Sequence, residues 1–460
     1  MSYPRYPAYK DSGVEWLGQV PAHWEVTRLK NIASIRVSTV DKHVLDDELP
    51  VSVCHYVQVY YNRRITSTVK FVKGSAKRDE VAEFTLRRND VVITKDSETP
   101  DDIAVATLVV EDIPNLVCGY HLAILRPHPE ELDGRFLYYL QESRPLRAYY
   151  TVTARGVTRY GLPYDGIASS PMLLPPLAEQ RAIAAFLDAE TARIDALVAK
   201  QQALITTLQE KRRALISHVV TKGLDASAPM QDSGVLWLGA VPAHWEVMAS
   251  RRVITDIEQG WSPQAEDRIA EAEEWAVIKL SAVSKGTFRP QEHKALPPNV
   301  EPDHRYEVRV GDLLLTRANT PELVGDVCVV KAVRDKLMLC DLVYRIAVDE
   351  TVSYKPFVAY WLLSQPGRQQ IIGDARGSSQ SMVKVSQGHI RSWLVPVPPR
   401  REQLEIVDFL EQETTQIDTL IAKAQAFIAL SREHRTALIA AAVTGQIDVR
   451  GRAAGAFASV

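Results

Sequence analysis

Cysteine is scarce. Four residues in 460, Cys54, Cys118, Cys328 and Cys340, lie too far apart to build a disulfide framework, and no C-x-x-C pair is present to clip a zinc ion. They read as reduced, buried thiols. Charge of one sign is also missing: the net value is −3, so any case for nucleic acid must rest on local features. No apolar run approaches the ~18 residues that a bilayer span needs, and the opening MSYPRYPAYKDSG lacks the apolar core of a signal peptide, so the expected location is the cytoplasm. Catalytic signatures are absent too. The chain has no glycine-rich phosphate loop, no H-E-x-x-H, no G-x-S-x-G and no dinucleotide fingerprint. Its double prolines read LPPL, LPPN and VPPR, never the Asn/Asp-Pro-Pro-aromatic motif with which amino-methyltransferases hold a base. Glu292-His293-Lys294 is half of a metal-dependent nuclease pattern without its Pro-Asp. The expectation is a non-catalytic chain that binds no metal or cofactor itself.

What is present is a duplication. DSGVEWLGQVPAHWEV at 11–26 returns as DSGVLWLGAVPAHWEV at 232–247, and the block from Pro175 returns ungapped from Pro398, at offsets of 221 and 223 residues. One unit of about 222 residues therefore occurs twice. Two long copies do not make a solenoid, which stacks several repeats of roughly 20–50 residues; a pseudo-twofold molecule fits better. The flanks are alike and the middles differ, as expected of one scaffold carrying two specialised modules.

In the repeated block apolar residues step by four and three through Ile183, Leu187, Ile194, Leu197, Leu204, Leu208 and Leu215, and again through Ile406, Leu410, Ile417, Leu420, Phe427 and Leu438. These stripes predict two long amphipathic helices, each begun by a Pro-Pro pair and packed on the other as an antiparallel coiled coil. The middles mix β-branched runs (51–59, 90–94, 312–316, 327–330) with helical stretches near 135–150 and 356–372, giving an α+β fold class overall. The expected division is a flank 1–26, a module 27–173, a helical spacer 174–226, a repeated flank 227–247, a second module 248–396, a second spacer 397–449 and a tail 450–460. Trp16, His23 and Trp24, repeated as Trp237, His244 and Trp245, are expected to brace a joint.

Three sets of residues are candidates for contact with DNA. A basic run holds Arg63, Arg64, Lys70, Lys73, Lys77 and Arg78, a group able to follow a phosphate backbone, although the charged face of a solvated sheet explains it equally well. After the matched strands DVVIT and DLLLT come Lys95, Asp96, Ser97 and Glu98 in one copy and Arg317, Asn319 and Thr320 in the other. Lys and Arg suit guanine, Asn suits adenine, and Asp or Glu accepts from cytosine. A second pair of loops holds Arg155, Thr158, Arg159 and Tyr160, then Arg376, Ser378, Ser379 and Gln380; ordinary turn chemistry accounts for these as well.

The order W-L-G-x-V-P-x-H-W-E-V, variable module, P-P-x-x-E-Q and long helix, all twice, resembles the specificity subunit of type I restriction–modification systems over essentially the whole chain. The resemblance implies two target-recognition domains, at 27–173 and 248–396, and two helical spacers. It further implies a DNA-reading subunit that recruits two modification (methyltransferase) subunits using S-adenosylmethionine and restriction subunits driven by ATP and Mg. The alternative is a DNA-binding scaffold or regulator that works without methyltransferase partners. On either reading the target would be double-stranded DNA, and on the first a bipartite, asymmetric site.

Overall fold

The computed structural model describes residues 3–379 and 382–451. It has two compact units: one combines Met1–Gln201 with Ala426–Val460, the other is Gln202–Gln425. The cuts fall inside the two long helices, Leu177–Lys222 and Arg400–Val443, so each unit owns half of each helix.

The module of the first unit is built on a five-stranded sheet in the order Ala33–Val37, Leu122–Pro127, Val91–Thr94, Ala106–Val109, Arg64–Ile65, antiparallel except for the last pair. A second sheet runs Leu116–Cys118, Leu49–Cys54, Val72–Ala76, with its first pair parallel and its second antiparallel. The central strand is buried at every position and apolar from Val91 to Ile93 because both of its faces are covered. Val91 and Ile93 face the helices, whereas Val92 faces the second sheet. The sequence reading ran strand character on to residue 59, but the strand stops at Cys54 and Tyr56–Tyr61 is a short helix. His55 begins it, where Gln58 caps its backbone N–H at 3.1 Å.

The second unit repeats this plan on a different sequence. Ile254–Gln259, Val343–Val348, Leu313–Thr316 and Val327–Val329 form an antiparallel sheet, and His293–Ala295, Ala276–Ile278 and Leu337–Met338 form the smaller one, again with one parallel pair. Leu313 and Leu315 face the helices, and Leu314 faces the smaller sheet. In both modules the helical stretch is two helices, Gly134–Glu142 with Arg144–Thr153 and Lys355–Leu363 with Gln365–Asp374. The break falls where Ser143 or Ser364 turns its hydroxyl back on the preceding helix and a proline opens the next.

Each unit contains an antiparallel pair of half-helices. In the first, Ile183, Leu187 and Ile194 share a core with Leu438, Ile439 and Val443, and Arg435 lies 3.6 Å from Asp195. In the second, Ile216, Val219 and Val220 share one with Ile406, Val407 and Leu410, and Arg212 lies 3.0 Å from Asp418. The two-step stripe read from sequence needs correction at three positions: Leu204, Leu420 and Phe427 are 45%, 49% and 41% exposed. Ile205, Ala424 and Ile428 are buried instead, while Leu208 of the stripe stays buried. A straight helix of 3.6 residues per turn drifts about 20° per heptad against a 3.5-residue stripe, so over this length the buried face passes to the neighbouring position.

Candidate nucleic-acid interface

The frame that positions the candidate loops is set by the repeated P-P-x-x-E-Q. Glu179 is buried at the start of the first long helix, where the Trp24 indole donates to it at 2.9 Å and His23 Nε2 lies at 2.8 Å. Glu402 does the same with Trp245 at 3.1 Å and His244 at 2.7 Å. The next residue reaches the module: Gln180 accepts from the Asp133 backbone at 2.9 Å and Gln403 from that of Tyr354 at 2.7 Å, each just ahead of a module helix. The side-chain amides donate to Glu131 and Pro175 carbonyls in one copy and to Val352 and Pro398 carbonyls in the other. The aromatic flank thus braces a joint, as expected, and the Glu-Gln pair that completes the brace is a role sequence reasoning did not assign. The glycine after each helix closes the same corner. Gly223 and Gly445 have φ of +74° and +72°, and a Cβ on Gly445 would sit 2.3 Å from Pro21.

On this frame the two candidate loops of each module meet. Asp96–Ser97 pairs with Tyr160–Gly161, which pairs with Arg155–Gly156, in a small three-stranded sheet. In the other module Ala318–Asn319 pairs with Met382–Lys384, which pairs with Arg376–Ser379. Backbone bonds hold Lys95 and Arg317 in matching slots: Lys95 N–H donates to His121 and Arg317 N–H to Leu342, at 3.0 and 2.7 Å. Gly156 is required by its own hairpin, since a Cβ there would lie 1.9 Å from the Arg159 carbonyl oxygen.

The side chains in these slots differ. Lys95 Nζ lies 2.7 Å from Asp96, the His121 ring lies 2.8 Å from the same carboxylate oxygen, and Arg159 lies 3.4 Å from the far ring nitrogen. Burial opposes ionisation of Asp96, but the hydrogen bonds and charges of Lys95 and His121 outweigh it and hold the carboxyl below its ordinary range. In the second module Ala318 and Leu342 replace Asp96 and His121, and Arg317 has no ion pair or side-chain hydrogen bond among the described residues. Asn319 accepts from the Thr320 backbone at 2.9 Å and borders a 430 Å³ cavity with Lys279, Ser281 and Arg289. The Thr320 hydroxyl is buried without a hydrogen-bond partner among the described residues. Ser97 is buried, while Glu98, Arg155, Thr158 and Arg159 are exposed and Tyr160 is half-buried. Arg376 donates to the Gly373 carbonyl at 2.6 Å. Ser378 and Ser379 lie in the strand backbone, and Gln380 lies outside the described residues.

The basic run divides. Arg63 pairs with Asp195 at 2.6 Å, and Arg64 pairs with Asp188 at 2.8 Å while stacking on Tyr138 at 4.3 Å, so both point at the first long helix. Lys70, Lys73, Lys77 and Arg78 are exposed and form no ion pair among the described residues. A cluster that sequence reading did not single out lies on Tyr56–Tyr61: Tyr56 and Tyr60 stack at 5.3 Å, Tyr60 donates to Asp102 at 2.8 Å, and Tyr61 is 76% exposed. Its only sequence signal is the tyrosine density of YVQVYY. Among the described residues no group of three or more His, Cys, Asp or Glu side chains can hold a metal ion, and no helix is long and apolar enough to cross a membrane. The four cysteines are buried and free; Cys54 and Cys118 are register partners on adjacent strands.

No family model matches the chain. It is similar to the specificity subunit of the type I restriction enzyme EcoKI of Escherichia coli K12, 22% identical over 449 residues, 95% of this chain and 92% of that one. It is 30% identical to the EcoEI specificity subunit of E. coli over 187 residues, which cover 40% of this chain and 31% of that subunit. Among solved structures, a chain from a study of complex assembly and conformational transition of the type I R-M system superposes with a TM-score of 0.66 at 16% identity, over 92% of this chain and 98% of that one. At that identity the superposition shows a shared fold.

Proposed function

We infer, from full-length similarity to specificity subunits and a shared fold, that this chain belongs to the specificity subunits of type I restriction enzymes and serves DNA target recognition within a larger complex. Its part is recognition; the chemistry belongs to other subunits. The finer reading is that each module reads one half of a bipartite, asymmetric site in double-stranded DNA, and that the chain recruits two methyltransferase subunits together with ATP-dependent restriction subunits. S-adenosylmethionine, ATP and Mg act in those partners, in the cytoplasm.

One observation carries the two-reader part. Equivalent three-stranded sheets present different side chains in the same slots, Lys95-Asp96 beside His121 in one and Arg317-Ala318 beside Leu342 in the other. Equal frames with unequal donors and acceptors suit unequal base sequences, because base edges are told apart by their hydrogen-bonding pattern. Exposed Lys70, Lys73, Lys77 and Arg78 add sequence-independent attraction to phosphate. The test is reconstitution with the neighbouring modification subunit. Methylation that needs this chain, falls on a two-part motif and weakens with salt is the expected result; methylation by the modification subunit alone, or a single continuous motif, contradicts it.

A further inference from the structure

In the first unit the joint between module and long helix is filled by arginine. Arg64 lies 2.8 Å from Asp188 and covers the Tyr138 ring, the Tyr139 hydroxyl donates to Asp188 at 2.7 Å, Arg135 comes within 3.6 Å of the same carboxylate, and Arg63 takes Asp195. The second unit keeps the acceptors and loses the arginines. By the repeat register, Asp188, Thr191, Asp195 and Tyr139 recur as Glu411, Thr414, Asp418 and Tyr360, but Arg135 becomes Pro356 and Tyr138 becomes Ala359. Four guanidinium groups, Arg63, Arg64, Arg135 and Arg435, face the two carboxylates of the first unit. Among the described residues only Arg212, at 3.0 Å from Asp418, and the exposed Lys331, at 2.9 Å from Glu411, face those of the second. The space left is an open cavity of 280 Å³ bordered by Glu411, Thr414, Asp418, Tyr360, Ala359 and Phe288.

The first unit is therefore an internal template for what the second can hold. We propose that the cavity of the second unit binds a guanidinium group, and that its occupant is an arginine side chain of a modification subunit, the latter part resting on the function inferred above. A planar guanidinium can bridge Glu411 and the Tyr360 hydroxyl, as Arg64 bridges Asp188 and the Tyr139 hydroxyl in the other copy. A compact ammonium lacks that fork. Ala359, in place of the Tyr138 ring on which Arg64 lies, leaves the extra room.

The probe is N-acetyl-arginine amide, titrated onto the full-length chain and followed by ligand-observed NMR. Saturable binding is expected, at least tenfold tighter than that of the lysine amide and at least tenfold weakened by Glu411→Gln, a half-buried, nearly isosteric substitution compatible with folding. Arg64→Ala should open a second site in the same chain. Absence of saturation, equal binding of the lysine amide, or indifference to Glu411→Gln overturns the cavity assignment. For the occupant, Glu411→Gln should lower capture of the modification subunit at least tenfold; unchanged capture overturns the partner assignment. If the unaltered chain fails to capture that subunit, the functional reading and the partner assignment fall together, while the amide titration still decides the cavity.

Discussion

Lys95 and Arg317 stand in the same backbone slot, yet among the described residues Lys95 has an ion pair and Arg317 has none. Arg317→Ala should cost about 1–3 kcal/mol of DNA binding and relax preference at one base pair, leaving the other half-site untouched, as checked by a base-substitution scan. Lys95 is already spent on Asp96, so the informative substitution there is Asp96→Asn. It should release the ammonium, tighten binding to all sequences and steepen the salt dependence by roughly one counterion, measured as the slope of log affinity against log salt. A carboxyl held below its ordinary range contributes stability that is full above its unfolded value of ~3.9 and is lost as pH falls through the lower folded value. Asp96→Asn should therefore remove that contribution near neutral pH and flatten the acid limb of a plot of Tm against pH. DVVIT and DLLLT revealed the matching slots in the sequence, and Asp96 is visible as a neighbour of Lys95. The meeting with His121 and Arg159 was not legible, because it depends on side chains brought together across 25 and 38 residues of chain.

The long helices were legible from their apolar stripe, and their starts from the double prolines. Their buried face was legible only in part, since periodic spacing fixes a stripe but not its slow rotation along a straight helix. That difference is testable. Ile205→Asp or Leu208→Asp places a charge in the seam and should destabilise the fold by on the order of 3 kcal/mol, whereas Leu204→Asp and Leu420→Asp should leave the melting temperature within a degree or two. Equal losses at Leu204 and Ile205 would show that the helices pair on the face read from sequence. The Glu-Gln pair at the start of each helix was visible as a repeat, without a role. Its role comes from its hydrogen bonds: Glu402→Ala would leave the Trp245 indole and His244 without their acceptor, at about 1–3 kcal/mol in thermal or urea unfolding.

At the scale of the molecule, duplication was the strongest signal in the sequence, because the flanks repeat almost unchanged and the helices return ungapped with about half their residues the same. The shared topology of the modules was hidden, since DVVIT and DLLLT keep a buried central strand with three successive apolar residues while the surrounding strands share little beyond their alternation. On the proposed reading, the bases recognised depend on a few side chains on two small sheets, and those are positions at which the copies have diverged. The central claim is that one frame, used twice, carries two independent readers. Sequencing the methylated positions in DNA exposed to the reconstituted complex, with the unaltered chain and with Arg317→Ala, tests it most directly. The account predicts a two-part motif separated by unread base pairs, with only one part relaxed by the substitution; a continuous motif, or relaxation of both parts together, would contradict it.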